Sequence, residues 1–259
     1  MEKQEVPSQQ PKVNSQNLPG ARPRVIRSFG RIRGKKLSAR QSWLVSNLLP
    51  QIRVSDTDFG HEKKTESEIR IQNPILEIGF GAGEHLLHLA TANPDSIILG
   101  AEPFINGVAS LLSKISNYQL AITNSGTIVK PEYQNIRIWP DDVRKLFSFL
   151  SSLFSNPNMR FAQIWILHPD PWPKARHEKR RLLSVDFLKA LGEFLSPGGQ
   201  IIIGTDHCEY FDWIVANAKL SQLKINNEKP AIIETRYQKK NMAGTDGTKY
   251  LVLEKNLDG

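Results

Sequence analysis

The sequence contains one cysteine, Cys208, among its 259 residues. A single cysteine cannot form an internal disulfide or a cysteine-based zinc site, so a disulfide-stabilised secreted domain and a zinc finger are excluded. No apolar run approaches the roughly 20 residues that span a bilayer. The polar residues 1–16 also lack the hydrophobic segment of a secretory signal. We therefore expect a cytoplasmic protein that does not insert into membranes.

Length and composition fit one large α/β domain rather than two domains with separate cores. Residues 1–21 are rich in Gln, Ser, Pro and Asn and have few large apolar side chains, a composition typical of disorder. We predict that residues 1–37 form a basic, disordered N-terminal arm and that residues 38–259 form the folded domain. Within that domain, Ser38 is expected to cap a first helix, and Pro50 is expected to stop it.

Two basic clusters carry the excess of positive charge. The chain has 34 Lys and Arg against 26 Asp and Glu, a net charge of +8. Residues 22–40 contain no acidic side chain, and residues 174–181 contain five cations and one acid, Glu178. Such concentration favours a polyanionic partner such as nucleic acid. The alternative is that both clusters are simply solvated, one as a tail and the other as a loop.

Short apolar strands alternate with amphipathic helices from residue 74 onward. This alternation predicts βαβ units and a mainly parallel sheet with helices on both faces. The segments at residues 231–238 and 249–255 are expected to close the domain as an antiparallel hairpin. Because ligands bind at the carboxyl ends of parallel strands, the residues that follow each strand are the candidates for function.

Acidic residues lie at the ends of the first three predicted strands. The first is Glu77, which precedes three glycines in alternate positions: Gly79, Gly81 and Gly83. A dinucleotide-binding loop would carry another glycine where this chain has Glu84. A carboxylate beside the loop would repel a pyrophosphate but attract the cationic amino-acid part of S-adenosylmethionine.

The two other acids extend the same pattern. Glu102 follows the second strand, where it could accept hydrogen bonds from ribose hydroxyls. Asp141 and Asp142 follow the third strand and would suit the adenine amino group. We choose Asp142 for this contact by its spacing from Leu146 in the sequence, and the adjacent Asp141 is the alternative. The three strand ends together predict an S-adenosylmethionine-dependent methyltransferase.

The fourth strand is followed by His168-Pro-Asp-Pro-Trp-Pro173. Prolines on both sides of Asp170 stiffen the backbone around its carboxylate, and Trp172 offers a flat surface for a base. A rigid loop with a buried tryptophan would explain this segment equally well. The basic residues that follow it favour a catalytic site with a phosphate-binding rim.

The segment IWILHPDPWPKARHEKRRLL resembles the FPDPW-K-x-R-H-x-K-R-R segment of the bacterial tRNA (guanine-N7-)-methyltransferases. LEIGFGAGEHL, LGAEPF, LSPGGQIIIGTDHCEY and TRYQKKNMAGTDGTKYLVL extend the resemblance over about residues 28–255. It implies a Rossmann-like class I methyltransferase fold, S-adenosylmethionine as the cofactor and methylation of N7 of guanosine 46 in the tRNA variable loop.

The resemblance also assigns roles to individual residues. Asp170 is implied as the catalytic residue. The implied cofactor contacts are Glu77, Glu102, Asp142 and Asp170, in addition to the three glycines of the loop. The implied substrate and RNA contacts are Lys174, Arg176, His177, Lys179, Arg180, Arg181, Asp206, Thr235, Arg236, Tyr237 and Gln238. The family usually has glutamate at the position of Gln238, which keeps an acceptor but loses the charge.

Two other functions compete with this interpretation. One is methylation of a different substrate, either another RNA or a small molecule or protein, and the two basic clusters disfavour the small molecule and the protein. The other is a non-catalytic RNA-binding module, which the intact Glu77, glycines and Asp170 disfavour. We expect no metal, because His85 and His88 lack a third ligand and read as ordinary helix residues. Cys208 has no basic neighbour that would activate a thiol. The expected assembly is a monomer or a homodimer.

Overall fold

The computed structural model describes residues 28–30, 32, 34–59, 74–117, 129–153, 160–226 and 247–257. Strands and helices alternate along these residues. The strands are β1 (Ile75–Ile78), β2 (Ile98–Ala101), β3 (Ile136–Trp139), β4 (Phe161–Leu167), β5 (Leu195–Thr205), β6 (Lys224–Asn226) and β7 (Lys249–Glu254). The helices are α1 (Ala39–Asn47), α2 (Leu49–Ile52), α3 (Glu84–Ala92), α4 (Ile105–Ile115), α5 (Val143–Leu153), α6 (Val185–Glu193) and α7 (Cys208–Ala218).

The strands of the described part form one sheet in the order β3-β2-β1-β4-β5-β7-β6. Neighbours from β3 to β5 are parallel, whereas β7 runs antiparallel to both β5 and β6. This confirms the predicted Rossmann-like α/β fold. After β1 the chain moves to one side of the sheet, and after β4 it moves to the other. The switch opens a crevice at the carboxyl ends of these two strands, where α/β proteins bind ligands.

Two apolar cores lie on the two faces of the sheet. The helices α1 to α4 cover one face, with Leu44, Leu86 and Leu111 fully buried. The helices α5 to α7 cover the other face, with Leu146 and Leu188 fully buried. Because both faces are covered, the strands are apolar almost throughout, as expected for parallel sheets. Polar side chains are therefore left to the strand ends.

The first helix begins as the sequence predicts. The Ser38 hydroxyl accepts a hydrogen bond from the Gln41 N–H at 3.2 Å, and the Gln41 side chain accepts one from the Ser38 N–H at 3.0 Å. This reciprocal pair satisfies two donors at the helix start. The expected effect of Pro50 is wrong in detail. The helix α1 ends at Asn47, and Pro50 lies in the first turn of α2, where proline is tolerated because no intrahelical N–H is needed there.

The C-terminal strand β7 has two described partners. It lies between β5 and β6 and pairs with residues 200–205 and 224–226. The strand β6 has only three residues, and the sequence pattern did not predict it. The predicted partner at residues 231–238 lies outside the described residues. Antiparallel pairing of the C-terminal strand is nevertheless confirmed.

Candidate active site at the carboxyl ends of the strands

The loop between β1 and α3 depends on its glycines. Gly79, Gly81 and Gly83 have φ angles of 78°, 55° and 84°, a left-handed region that other residues adopt only at a cost. A Cβ on Gly79 would meet no atom of the described residues within 4 Å, so among these residues there is open space beside this turn. On the other side, a Cβ on Gly107 of α4 would clash with the Gly81 carbonyl oxygen. The loop therefore presents its backbone to open space while α4 supports it closely from behind.

Glu77 is a buried acid at the start of this loop, with 3% of its surface exposed. Its Oε2 atom lies 3.3 Å from Nδ1 of His85, a residue that is 5% exposed. This Oε2 atom has no hydrogen-bond partner among the described residues. The His85 ring lies 4.7 Å from the Trp165 ring, and Trp165 is the neighbour of Glu77 on β4. Sequence reasoning missed this contact, because helical spacing does not reveal which side of α3 faces the sheet.

Glu102 follows β2 and supports the glycine loop. Its Oε2 accepts a hydrogen bond from the Gly81 N–H and its Oε1 accepts one from the Phe104 N–H, both at 2.8 Å. Burial raises the pKa of Glu102, and the negative charges of Glu77 and Asp170 raise it further, whereas the two backbone hydrogen bonds lower it. Glu102 is therefore within electrostatic range of two other predicted site acids, which lie at the carboxyl ends of β1 and β4 in the same sheet.

Asp142, the acid after β3, is buried and pairs with an arginine. Arg144 donates to it from Nε at 2.8 Å and from Nη2 at 2.7 Å. Burial would raise the pKa of Asp142, but the hydrogen bonds and charge of Arg144, with a hydrogen bond from Ser28, lower it overall. Asp141 instead pairs with Lys145 at 2.8 Å on the more exposed side. The adenine contact of Asp142 stays a prediction.

The segment after β4, residues 168–173, is called the proline loop here. It begins with a hydrogen bond from the His168 N–H to the Gly204 carbonyl at 2.7 Å. His168 and Trp172 have φ angles of 49° and 42°. Such conformations are uncommon for non-glycine residues and concentrate at functional sites. Asp170 lies between these two positions, and its side chain is exposed to solvent.

Asp206 follows β5 and lies beside the proline loop. Its side chain is 44% exposed, and its Oδ1 lies 3.8 Å from Nδ1 of His168. Burial lowers the pKa of His168, and the charge of Asp206 opposes that shift without reversing it. Asp170 and Asp206 thus lie at the ends of adjacent strands. The predicted substrate residues Thr235, Arg236, Tyr237 and Gln238 lie outside the described residues.

The basic cluster at residues 174–181, called the basic turn, continues directly from the proline loop. Residues Ala175–Arg180 form a 3₁₀ helix, and Lys174 precedes it. The side chains of Lys174, Arg176 and Lys179 are exposed. His177 contacts the Trp172 ring edge-on, with 5.7 Å between centroids. The two last arginines are half-buried against aromatic rings. Arg180 lies 5.0 Å from the Trp172 ring and 5.5 Å from the Phe29 ring.

The described part of the predicted N-terminal arm contacts the same site. Asn106 accepts a hydrogen bond from the Gly34 N–H at 2.8 Å and donates one to the Lys35 carbonyl at 2.6 Å. The Ile105 N–H donates to the Ile32 carbonyl at 3.1 Å. A Cβ on Gly30 would lie 3.8 Å from the Asp170 carboxylate. The sequence predicts disorder for residues 1–37, of which residues 1–27, 31 and 33 fall outside the described residues, so the arm and its boundary at residue 37 stay a prediction.

Two searches of the described residues give negative results. None of their helices has the length and apolarity needed to cross a membrane. Nowhere in the described ranges do three or more His, Cys, Asp and Glu side chains come together in a group that could hold a metal ion.

Comparison with known proteins identifies the family. A family model described as "Putative methyltransferase" matches residues 72–256, which includes every strand of the sheet. A tRNA (guanine-N(7)-)-methyltransferase of Caulobacter sp. (strain K31) is 34% identical and aligns over 84% of this chain and 90% of its own length. The chain belongs to the bacterial tRNA (guanine-N7-)-methyltransferase family.

Further members of this family match at similar levels. The relative from Paramagnetospirillum magneticum is 33% identical over 88% of this chain and 91% of its own length. The relative from Sphingopyxis alaskensis is 36% identical, with 86% of this chain and 91% of its own length aligned. Both carry the same name as the Caulobacter protein. The matches to this family therefore extend over most of the chain.

The residues present fit S-adenosylmethionine, the methyl donor that the family implies. The buried Oε2 of Glu77 has no hydrogen-bond partner in the described residues, and the space beside Gly79 is open. A buried carboxylate oxygen without a partner is costly. A bound ammonium group would provide that partner. The cluster of Glu77, Glu102 and Asp170 is likewise better suited to a cationic ligand than to a phosphate.

Proposed function

We propose that this protein transfers a methyl group from S-adenosylmethionine to N7 of guanosine 46 in the variable loop of tRNA. The observation that carries the proposal is that the carboxylates of Glu77, Glu102 and Asp170 lie at the carboxyl ends of three adjacent parallel strands, β1, β2 and β4. The exposed cations of the basic turn continue directly from the loop that carries Asp170. Carboxylates suit a cationic cofactor, and a basic rim suits the phosphates of RNA.

The cofactor side of the site would be held by the strand-end acids. When bound, S-adenosylmethionine supplies a methyl group on a positively charged sulfur. Glu77 would bind the ammonium group. Glu102 would accept hydrogen bonds from the ribose hydroxyls. Each of its carboxylate oxygens has two lone pairs, and a backbone N–H uses only one of the two. Asp142, whose carboxylate is held by Arg144, would accept a hydrogen bond from the adenine amino group.

On the RNA side, Asp170 would stabilise charge rather than remove a proton. Guanine N7 carries a lone pair and no proton at neutral pH, so it needs no general base. The protein must instead orient the base, and orientation alone can remove much of a barrier. The modified base is cationic, and a fixed carboxylate beside it stabilises the charge as it develops. Asp206, on the adjacent strand, would contribute to the same field.

The basic turn would position the RNA. Lys174, Arg176 and Lys179 extend from the turn into solvent, where they could contact phosphates. His177 and Arg180 are included in the same proposed RNA contact, as are Thr235 to Gln238. Sequence-specific RNA recognition favours unpaired bases that can be extruded and stacked, and Trp172 offers a surface for such a base. A cytoplasmic location and a monomer or homodimer complete the proposal.

The proposal is tested by incubating the full chain with S-adenosylmethionine and an unmodified tRNA transcript. We expect N7-methylguanosine in the digested RNA, detected by mass spectrometry and mapped to position 46. The matched control is the same transcript with adenosine at position 46, which should remain unmethylated. Methylation of the control would contradict the assigned position. Methylation of only a different RNA or a small molecule would contradict the substrate, and cofactor binding without transfer would indicate a binding module.

A further inference from the structure

Arg180 and Arg181 are neighbours in sequence but contact different parts of the site. The guanidinium of Arg180 lies over the rings of Phe29 and Trp172. Arg181 turns the other way, and its Nε donates a hydrogen bond of 2.9 Å to the Pro171 carbonyl. Pro171 is the residue between Asp170 and Trp172. The side chain of Arg181 is therefore attached to the centre of the proline loop.

The guanidinium of Arg181 is held by α7. Its central carbon lies 5.3 Å from the Tyr210 ring and 5.2 Å from the Trp213 ring. A cation over such faces is attracted by the ring electrons. Tyr210 is fully buried, and the indole N–H of Trp213 donates to the Glu178 carboxylate at 2.7 Å. The two rings thus form a fixed support, because one belongs to the core and the other is anchored to the basic turn.

The proline loop has few backbone hydrogen-bond donors with which it could be fixed in place. Pro169, Pro171 and Pro173 have no backbone N–H, so they cannot donate hydrogen bonds. His168 and Trp172 have positive φ angles, a conformation that persists only when the surrounding structure enforces it. Three of its six residues therefore cannot donate a backbone hydrogen bond, and its carbonyl oxygens become more important as anchoring points. Arg181 bonds one of them, the Pro171 carbonyl.

Asp170 and Arg181 both lie near Tyr210. Burial raises the pKa of the Tyr210 hydroxyl to about 12, while the positive charge of Arg181 lowers it and the negative charge of Asp170 raises it. The hydroxyl is therefore within electrostatic range of both charges. The path from α7 through Arg181 and Pro171 to Asp170 is short, and each of its steps is a direct contact or a covalent bond.

We infer that Arg181 is a positioning residue that fixes the proline loop, and with it Asp170, against α7, and that it is not a phosphate contact. This inference rests on the proposed function, since it concerns the same site. Arg181 differs in this respect from Arg176, whose exposed side chain remains the candidate for RNA binding. The two arginines therefore make opposite kinetic predictions.

The test compares Arg181→Ala with Arg176→Ala, which serves as the matched control, in tRNA methylation assays over a range of salt concentrations. In Arg181→Ala we expect kcat to fall by about 100-fold, the scale reported for small misplacements of a reacting group. The KM for tRNA should stay within about twofold, and the slope of log affinity against log salt should not change. Arg176→Ala should keep most of its kcat and reduce the slope by about 0.7–0.9.

Added ethylguanidinium supplies a more specific readout. It should restore part of the kcat of Arg181→Ala beyond the effect of equal sodium chloride, because it can occupy the space between the rings. It should not restore Arg176→Ala. Arg181→Lys keeps the charge without the planar guanidinium, so its kcat should also fall. A reduced salt slope with an unchanged kcat in Arg181→Ala would overturn the inference, as would full activity of Arg181→Lys.

Two measurements separate this inference from folding defects and from failure of the proposed function. Calorimetric binding of S-adenosylmethionine reports whether each variant is folded. Hydrogen exchange of peptides covering residues 168–182 reports the loop without any substrate, and exchange should increase in Arg181→Ala. If the wild type methylates no tRNA, the proposed function fails, while unchanged exchange in the variant would overturn the role of Arg181 independently.

Discussion

Nδ1 of His85 lies 3.3 Å from Oε2 of Glu77, and both side chains are almost completely buried. The pair connects the first turn of α3 with the end of β1, directly behind the glycine loop. A buried polar group is costly unless polar neighbours surround it. The ring nitrogen of His85 is such a neighbour for the Glu77 carboxylate, at the place where a cationic ligand would bind.

His85→Phe tests this relationship. Phenylalanine can keep the ring contact with Trp165 but offers no polar atom to Glu77. We expect S-adenosylmethionine to bind more weakly by about 1–3 kcal/mol, because the Glu77 carboxylate would lose the polar ring nitrogen that lies 3.3 Å away. Calorimetry on the purified variant measures this change. The control is His88→Phe, one turn later on the exposed side of α3, and equal losses in both variants would contradict a specific role for His85.

Glu102→Gln should separate cofactor binding from RNA binding. The substitution removes a charge from a carboxylate that accepts two backbone hydrogen bonds. We expect S-adenosylmethionine affinity to fall by about 1.5–3 kcal/mol, as for a hydrogen bond to a charged group. The tRNA affinity should barely change. Equal losses of the two affinities, measured by calorimetry and filter binding, would contradict this division.

The same variant makes a prediction about pH. Burial raises the pKa of Glu102, and the neighbouring acids raise it further, so this carboxyl takes up a proton at a higher pH than an exposed glutamate does. Protonation removes acceptor capacity, and wild-type cofactor affinity should therefore fall as the pH is lowered through this raised pKa. In Glu102→Gln the affinity should depend less on pH over the same range. An identical pH profile in both proteins would assign the titration to another group.

Asp170→Asn should reduce methyl transfer while leaving the fold intact. The side chain is exposed, so its replacement by a similar amide leaves no cavity. Loss of a fixed electrostatic partner typically costs about 10²–10³ in rate. Single-turnover kinetics at saturating tRNA measure the effect. Asp212→Asn, on the exposed side of α7, is the matched control, and a turnover of Asp170→Asn close to that of the control would show that Asp170 is not required.

Arg144→Leu should change how stability depends on pH. Arg144 lowers the pKa of Asp142, and an acid with a lowered folded-state pKa stabilises the protein above its unfolded pKa. That contribution is lost as the pH falls through the folded-state value. In Arg144→Leu we expect about 1 kcal/mol less unfolding free energy at neutral pH, a value discounted because the Arg144 side chain is 35% exposed.

The loss in Arg144→Leu should shrink as the pH is lowered, because Asp142 is protonated in both states of both proteins at sufficiently low pH. Urea denaturation at a series of pH values measures this dependence. Lys145→Leu is the control, since its pair with Asp141 is more exposed on both sides and should contribute little. A loss that stays constant with pH would show that packing of the Arg144 stem, not its charge, is responsible.

Asn106→Ala should release the N-terminal arm from α4. Its side chain bonds both the Gly34 N–H and the Lys35 carbonyl, so alanine removes two contacts of the arm at once. We expect faster tryptic cleavage after Lys35 and Lys36 and a KM for tRNA raised about threefold to tenfold, as for the loss of one or two modest hydrogen bonds. Asn217→Ala on α7 is the control, and unchanged cleavage in Asn106→Ala would show that the arm is held elsewhere.

Local pattern was sufficient to predict the elements that build the site. The alternation of apolar strands and amphipathic helices specified a parallel sheet with both faces covered, and Ser38 marked the start of the first helix. Glycines with positive φ at positions 79, 81 and 83 followed from their spacing after a strand, because only glycine adopts that conformation without cost. The family resemblance added the assignment of the proline loop and the basic turn.

Tertiary structure decided what sequence spacing cannot express, namely which side chains meet across elements. The approach of His85 to Glu77 depends on the rotation of α3, and the bond from Arg181 to Pro171 depends on the placement of α7 against the loop. Both contacts depend on how the helices pack, and the sequence does not show whether a charged side chain faces solvent or an aromatic ring. The sequence by itself therefore determined the fold, the glycine loop and the acids at the strand ends. The division of the basic turn into exposed and anchored cations came only from how the helices pack on the sheet.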